Sequence, residues 1–224
     1  MTTIRDRGLS ALVAISTILL LVALGIAPFF TGTWIYPAQD RTGAEALTGW
    51  PPTTVHDVTG RVVGDLLLGP GRFDQTVDGR AVFDEAEASH LRDVRHVVLA
   101  FGGVALLAAV VLLVVGAIVR TPVFWPAVRA GASVLAVVVV ALAVFALVAF
   151  DTAFELFHRL FFAAGTYSFD PATSRLVRLF PEAFWSQTAM AIGGFLIALA
   201  LVTRALAGRA RTAAWPTATG IRSS

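Results

Sequence analysis

The sequence predicts an all-α membrane protein with four transmembrane helices and a small extracytoplasmic helix-plus-β-hairpin domain between the first and second spans. The chain is 57% hydrophobic and only 14% charged, whereas soluble domains carry about 25% charged residues. Its apolar residues are concentrated in four runs, and a bilayer core of about 30 Å takes roughly 20 helical residues. Turn and helix-cap signals lie in the polar stretch between the first two runs.

The predicted spans cover residues 9–30, 97–119, 131–150 and about 189–202. No charged residue interrupts any of these apolar cores. The first run follows Arg5-Asp6-Arg7, so a cleaved signal peptide, which would leave three spans, is the alternative. That run is longer than a typical signal-peptide core and no A-x-A cleavage pattern follows it, which favours a retained span.

Arginine placement favours a topology with both termini in the cytoplasm. The inner segments then hold one acidic residue, Asp6, against the arginines at positions 5, 7, 120, 129, 204, 209, 211 and 222. We therefore expect four regions. They are a cytoplasmic N-terminus and first span at 1–30, an extracytoplasmic domain at 31–96, spans two to four with an extracytoplasmic link 151–185 at 97–208, and a cytoplasmic tail at 209–224.

The polar region 31–96 carries the signals of a small ordered domain. Apolar residues at helical spacing predict a helix over 54–68. Asp78-Gly79 lies between two short strand-like runs and suits a two-residue type I′ hairpin. Asp84 and Glu87 have the spacing of a capping box. No helix breaker separates them from the second span, so the first three turns of that helix should stand above the lipid.

The third span is followed by a polar stripe. Asp151, Glu155 and His158 are spaced i, i+4, i+7, which puts them on one helical face. We expect the third span to continue as a helix through this stripe, and Glu155 to hydrogen-bond one imidazole nitrogen of His158 and fix its tautomer. Ionisable residues at the membrane edge usually point inward and are functional, which makes His158 a site candidate.

The other three histidines are less distinctive. His56 lies on the polar face of a predicted solvated helix, and His96 adjoins the lipid end of the second span. For His90, the residues alone do not decide between a surface position and a functional site. His90, Asp93 and His96 raise the possibility of a metal site, but His90 and His96 lie about 120° apart on a helix and do not chelate as an i, i+4 pair does. We therefore expect no metal site.

Other catalytic classes lack their signals. The chain has no cysteine, which excludes a thiol nucleophile, and no G-x-S-x-G nucleophile elbow. The net charge of +2 does not argue for a nucleic-acid partner.

Two stretches, FDEAEASHLRDVRHV and ELFHRLFFAAGTYSFDPATSRLVRLFPEAFW, resemble hallmarks of a bacterial membrane-protein family whose characterised branch is the lipoprotein intramolecular transacylase. The first hallmark is an acidic helix start, then His and x-x-Asp-Val-Arg/Lys. The second is Phe-His-x-x-Phe-Phe, an aromatic residue, and a Leu-Phe-Pro-x-x-Phe-aromatic ending. The order of parts agrees over about 9–205. Tyr167 stands where the family usually has Trp, and Ala163-Ala164 where a polar pair is common, which indicates a distant branch.

The resemblance implies an acyltransferase in the bacterial cytoplasmic membrane with its site at the outer leaflet. Its substrates would be the membrane lipid and N-terminus of a lipoprotein. The reaction moves an acyl chain from the diacylglyceryl ester to the N-terminal amine and gives a lyso-form lipoprotein. The family's catalytic pair maps onto His90 and His158, and no cofactor is implied. Residues proposed to support the pair are Glu155, Asp151, Asp93, Arg92 and Arg159, the two arginines as stabilisers of negative charge.

Two alternatives stay open at this point. The chain could be a non-enzymatic membrane protein whose outer domain binds a partner and whose histidines are structural. It could also be a different lipid-ester or metal-dependent membrane enzyme on the same scaffold. Convergence of His90 and His158 on one outer-leaflet site would favour the transacylase. The sequence does not indicate an oligomeric state.

Overall fold

The computed structural model describes the backbone of residues 3–214 and the side chains through residue 210. The last residues of the predicted cytoplasmic tail, 215–224, lie outside the described residues. The described chain is largely helical. Its helices in order are α1 Ile4–Ile26, α2 Gly32–Arg41, α3 Ala44–Thr48, α4 Pro52–Leu67, α5 Glu85–Leu113, α6 Phe124–Val148, α7 Phe150–Phe161, α8 Arg175–Leu179 and α9 Glu182–Ala214.

Within the described residues, four helical segments are long and apolar enough to cross a membrane, which confirms the four predicted spans. They are Ile4–Phe30, Glu85–Val119, Phe124–Val148 and Glu182–Ala210. The first includes a 3₁₀ turn, Ala27–Phe30, after α1, and the second includes a π-helical turn, Val114–Val119, after α5. Lipid-facing helices have no reason to bury their apolar side chains within the protein, and many of these side chains are exposed.

The chain forms two compact units. Of the described residues, one unit contains those up to Gly25, Val104–Val140 and those from Gly194 to Ala214; the other contains Ile26–Gly103 and Ala141–Gly193. In the first unit, α1 and α6 pack closely at Gly131, where a Cβ atom would lie 2.5 Å from the carbonyl oxygen of Ala14. Close backbone approach at small residues is a common way for membrane helices to associate.

In the second unit, residues 31–96, which we call the polar domain, share a core with α8. The core joins α4, the hairpin region and the first turns of α5. Its buried members are Ala44, Val55, Val58, Val62, Leu66, Phe73, Val82, Phe83, Ala88, Leu91 and Leu179. This core packs the start of α5 against α8 and the residues beside it.

The local signals of the polar domain are confirmed. Strands β1 (Thr76–Val77) and β2 (Arg80–Ala81) pair antiparallel. The turn between them has positive φ at both Asp78 and Gly79, as a type I′ turn requires. At the start of α5, the Glu87 N–H donates to Asp84 Oδ1 at 2.8 Å and the Asp84 N–H donates to Glu87 Oε2 at 3.0 Å. This is the reciprocal capping box.

The expectation that the third span continues through the polar stripe is wrong. The helix ends at Val148, and Ala149 has non-helical backbone angles, φ −145° and ψ 60°, before α7 starts at Phe150. Neither proline nor glycine marks the break. After the break, α7 buries His158 while most of its other side chains stay exposed.

We expect Gly131→Ala to lower the stability of the first unit by about 1–3 kcal/mol, because the new methyl group would meet backbone that cannot move aside as a side chain can. Thermal unfolding in detergent measures the loss. Gly194→Ala in α9 is the matched control, since no atom lies within 4 Å of its added Cβ. Equal melting temperatures for the two variants would contradict the packing argument.

Candidate active site

His90 lies in the second turn of α5 and is only 7% exposed. The edges of two aromatic rings pack against its imidazole, with centroid distances of 4.9 Å for Phe162 and 5.7 Å for Phe169. Its Nδ1 is buried and has no hydrogen-bond partner among the described residues. Buried polar atoms are nearly always satisfied, so the missing partner marks a position where a bound group can serve.

His158 lies in the last turn of α7 and is 9% exposed. Its ring centroid is 4.2 Å from that of Phe154 and 5.0 Å from that of Tyr167. Its Nδ1 is 2.8 Å from the carbonyl oxygen of Phe154. A carbonyl oxygen only accepts, so Nδ1 carries the proton and Nε2 of the neutral ring keeps a lone pair.

The two imidazoles converge. Their ring centroids are 6.1 Å apart and the ring planes are inclined by 26°. Phe162 packs against both rings, at 4.9 Å from His90 and 5.6 Å from His158. Two titratable rings at this spacing can contact the same small group or bridging water. Burial beneath aromatic side chains keeps bulk water away from both rings.

The hydrogen bond expected from Glu155 to His158 is not formed. Glu155 Oε1 instead accepts from Arg159 Nε at 2.8 Å and from the Tyr167 hydroxyl at 3.2 Å. The correct orienting group for His158 is the Phe154 carbonyl, because imidazole Nδ1 points back along its own helix. The hydrogen bond from Arg159 lowers the pKa of Glu155, and the bond from Tyr167 lowers it further. Glu155 is therefore ionised at neutral pH.

The other predicted supporting residues lie around the pair without a hydrogen bond to it. Asp151 is exposed, and Asp93, one turn after His90, is half-buried. Arg92 pairs with Glu85 at the surface. Of the two arginines proposed to stabilise negative charge, each is thus already bonded to a neighbouring carboxylate.

The remaining histidines are separate from this pair. His56 Nε2 bonds Asp40 at 2.8 Å, and its ring stacks on Tyr36 at 4.5 Å. His96 is exposed. Over residues 3–214, no group of three histidine or carboxylate side chains is placed to hold a metal ion.

Residues 162–181, which we call the return segment, contribute site residues that sequence reasoning missed. Tyr167 and Phe169 are typical interfacial aromatics by sequence, yet they pack against the imidazoles. Ser174 donates its hydroxyl to the buried carboxylate of Glu87 at 2.5 Å. Capping-box spacing accounts for Glu87 only as a helix start. No spacing rule connects it with a serine so far along the chain.

We expect Arg159→Gln to raise the pKa of Glu155 toward its ordinary value, because it removes the strongest hydrogen bond to the ionised carboxylate. Side-chain ¹³C NMR titration of labelled glutamate measures the change, and the chain has few glutamates to resolve. Arg92→Gln is the control, since Arg92 pairs with Glu85. The hydrogen-bond assignment is wrong if both variants leave Glu155 titrating at the same pH as in the unsubstituted protein.

The chain is similar to known proteins in sequence and in fold. The family model of the lipoprotein intramolecular transacylase Lit matches residues 11–185. No curated protein matches the chain significantly. Among solved structures, the membrane integral lipoprotein intramolecular transacylase Lit from Bacillus cereus is similar with a TM-score of 0.75 and 21% identity, over 93% of this chain and 96% of that one.

Two variants of the same Bacillus cereus protein, each with one histidine replaced, are also similar. The arginine variant has a TM-score of 0.72 and 19% identity, over 93% of this chain and 92% of that one. The alanine variant has a TM-score of 0.66 and 19% identity, over 92% and 93%. These likenesses show a shared fold. Because the family model spans most of the sequence, as the two sequence hallmarks predicted, the chain belongs to the lipoprotein intramolecular transacylase family, a family of membrane enzymes.

Proposed function

We propose that this chain moves an acyl chain from the diacylglyceryl ester of a lipoprotein to the N-terminal amine of the same molecule, with His90 and His158 as the acid–base pair. The observation that carries the proposal is the convergence of the two imidazoles at 6.1 Å from helices far apart in sequence. Structural histidines have no need to meet in this way. Family membership supports the same reaction.

The reaction needs one proton removed and one supplied. As the neutral amine attacks the ester carbonyl, a C–N bond forms and the C–O bond to glycerol breaks. The proton leaving nitrogen has to reach the departing glyceryl oxygen. His158 suits the base, because its Nδ1–H is held by Phe154 and its Nε2 lone pair is left to accept. His90 then suits the second carrier, which takes this proton from His158 and delivers it to the glyceryl oxygen, so that both rings end in the form in which they began.

Exclusion of water favours transfer to the amine over hydrolysis. Both imidazoles are less than one-tenth exposed, and the rings of Phe162, Tyr167 and Phe169 cover them. Water is the competing nucleophile for any activated ester, so a dry site protects the product. The amine and the ester belong to one molecule, and holding them in contact supplies much of the rate.

The proposed site is at the outer leaflet of the bacterial cytoplasmic membrane. The arginine distribution favours cytoplasmic termini, which places the polar domain with its hairpin, residues 31–96, and the link 151–185 outside. His90 precedes the apolar stretch that begins at Val97 by about 10 Å of helix. That height corresponds to the polar surface of the bilayer, where lipid headgroups lie. The substrate would therefore reach the site from the bilayer.

The charged neighbours would tune this site rather than perform the proton transfers. Asp93, half-buried and one turn from His90, favours a cationic group such as the substrate ammonium nearby. Asp151 and the ionised Glu155 add negative charge on the α7 side, and Arg159 offsets part of it. Arg92 is held by Glu85.

We expect His90→Ala and His158→Ala each to reduce acyl transfer by roughly 10²- to 10⁴-fold, the usual contribution of a positioned general acid or base. Mass spectrometry of lipoprotein N-termini, in a host that lacks lyso-form lipoproteins, measures the product. His56→Ala and His96→Ala are the matched controls and should retain activity, because neither residue approaches the pair.

The reading of the chain as an active transacylase fails if the unsubstituted protein is well expressed in that host and produces no lyso-form lipoprotein. The dyad fails separately if the protein is active and either alanine variant keeps full activity.

A further inference from the structure

Glu87 is a carboxylate one helical turn before His90, and only 2% of it is exposed. Its Oε2 accepts the Asp84 backbone N–H and completes the helix cap. Its Oε1 instead accepts two donors from the return segment, the Ser174 hydroxyl at 2.5 Å and the Leu176 N–H at 2.9 Å. A helix cap does not need this second pair of bonds.

Within the described residues, both hydrogen bonds that join α5 to the return segment end on this one oxygen. The other polar contacts of the segment go elsewhere: Arg175 donates to the Thr48 carbonyl, and the Leu179 carbonyl accepts from Gln39. Glu87 and His90 are three residues apart on a continuous helix, so their relative position is fixed.

The return segment touches both imidazoles. Phe162 packs against His90 and His158, while Phe169 packs against His90 alone. The segment also follows α7 directly, so its seat on α5 constrains where the end of α7, with His158, lies relative to His90.

We propose that Glu87 is a positioning residue for the acyl transfer. Its hydrogen bonds to Ser174 and Leu176 hold the return segment against α5. We call this contact the seating of the segment; it fixes the distance between the two imidazoles and the position of the aromatic rings that cover them. The catalytic consequence rests on the proposed function, whereas the seating itself does not.

Glu87→Gln is the direct test. An amide has one oxygen and one NH₂ group in place of two carboxylate oxygens. If the amide oxygen faces Ser174 and Leu176, both hydrogen bonds remain but are weakened by the loss of the negative charge, and the NH₂ group meets the Asp84 N–H. In the other orientation the Leu176 N–H loses its acceptor. Ser174→Ala is the second variant, which removes the donor to Glu87, and with it the hydroxyl that caps α8 at the Val177 N–H, without altering α5. Glu85→Gln is the matched control, because Glu85 is an exposed glutamate on the same turn and its side chain accepts a hydrogen bond from Arg92.

The first measurement is independent of activity. Diethyl pyrocarbonate modifies accessible imidazoles, and peptide mass spectrometry gives the rate at His90 relative to His56 on α4. We expect the relative rate at His90 to rise several-fold in Glu87→Gln and, to a smaller extent, in Ser174→Ala. It should stay unchanged in Glu85→Gln.

The second measurement separates positioning from general instability. We expect kcat to fall roughly 10- to 100-fold in Glu87→Gln with KM near its original value, as displacement of catalytic groups by about 1 Å produces. The double variant with Ser174→Ala should lose no more than Glu87→Gln alone, since both break one connection.

The inference is overturned if His90 labelling is unchanged in both variants, or if labelling rises while kcat does not fall. Should Glu87→Gln fail to fold, Ser174→Ala decides by the same two measurements. The two proposals can fail separately. If the unsubstituted protein shows no acyl transfer but His90 is labelled faster in the variants, the proposed function is wrong and the seating of the return segment by Glu87 is still supported.

Discussion

The site depends on how residues 162–181 are held, because their only helix, α8, has five residues and cannot be stable alone. Four hydrogen bonds hold this return segment against the polar domain. Glu87 accepts from the Ser174 hydroxyl and the Leu176 N–H, Gln39 donates to the Leu179 carbonyl at 2.9 Å, and Arg175 donates to the Thr48 carbonyl at 2.7 Å. Bonds to charged groups each contribute about 1.5–3 kcal/mol and neutral ones about 1 kcal/mol. Their sum is comparable with the whole net stability of a domain.

Features fixed by local chemistry were predictable from the sequence. Long apolar runs identify the four spans, Asp78-Gly79 identifies the hairpin, and Asp84 with Glu87 identifies the start of α5. The break at Ala149 has no local sequence signal, and the short helix α8 was not predictable because residues distant in sequence hold it in place. The partner of Glu155 was missed for a related reason. Helical spacing places His158 on the same face as Glu155, but the hydroxyl that bonds Glu155 belongs to Tyr167 in the return segment.

The choice between His90 and His96 also depends on residues that are distant in sequence. Both lie on the exposed-looking first turns of one helix, and residue spacing does not separate them. The resemblance selects His90, and the structure supplies the physical difference: His90 is buried beneath Phe162 and Phe169, while His96 is exposed. That cover comes from residues some seventy positions later. A histidine's environment here is a tertiary property, which the surrounding α5 sequence does not encode.

Acyl transfer to an amine places two opposed demands on such a site. The imidazoles must be dry, or water takes the acyl group, yet a two-chain lipid must reach them. Aromatic walls meet both demands, since phenylalanine side chains repel water but tolerate acyl chains. The Phe154 carbonyl fixes the tautomer of His158, because it accepts the proton on Nδ1 and leaves Nε2 as the single acceptor nitrogen in a place with little competing solvent. In the proposed mechanism, the imidazole of His90, whose buried Nδ1 has no partner among the described residues, would provide the second position for the transferred proton.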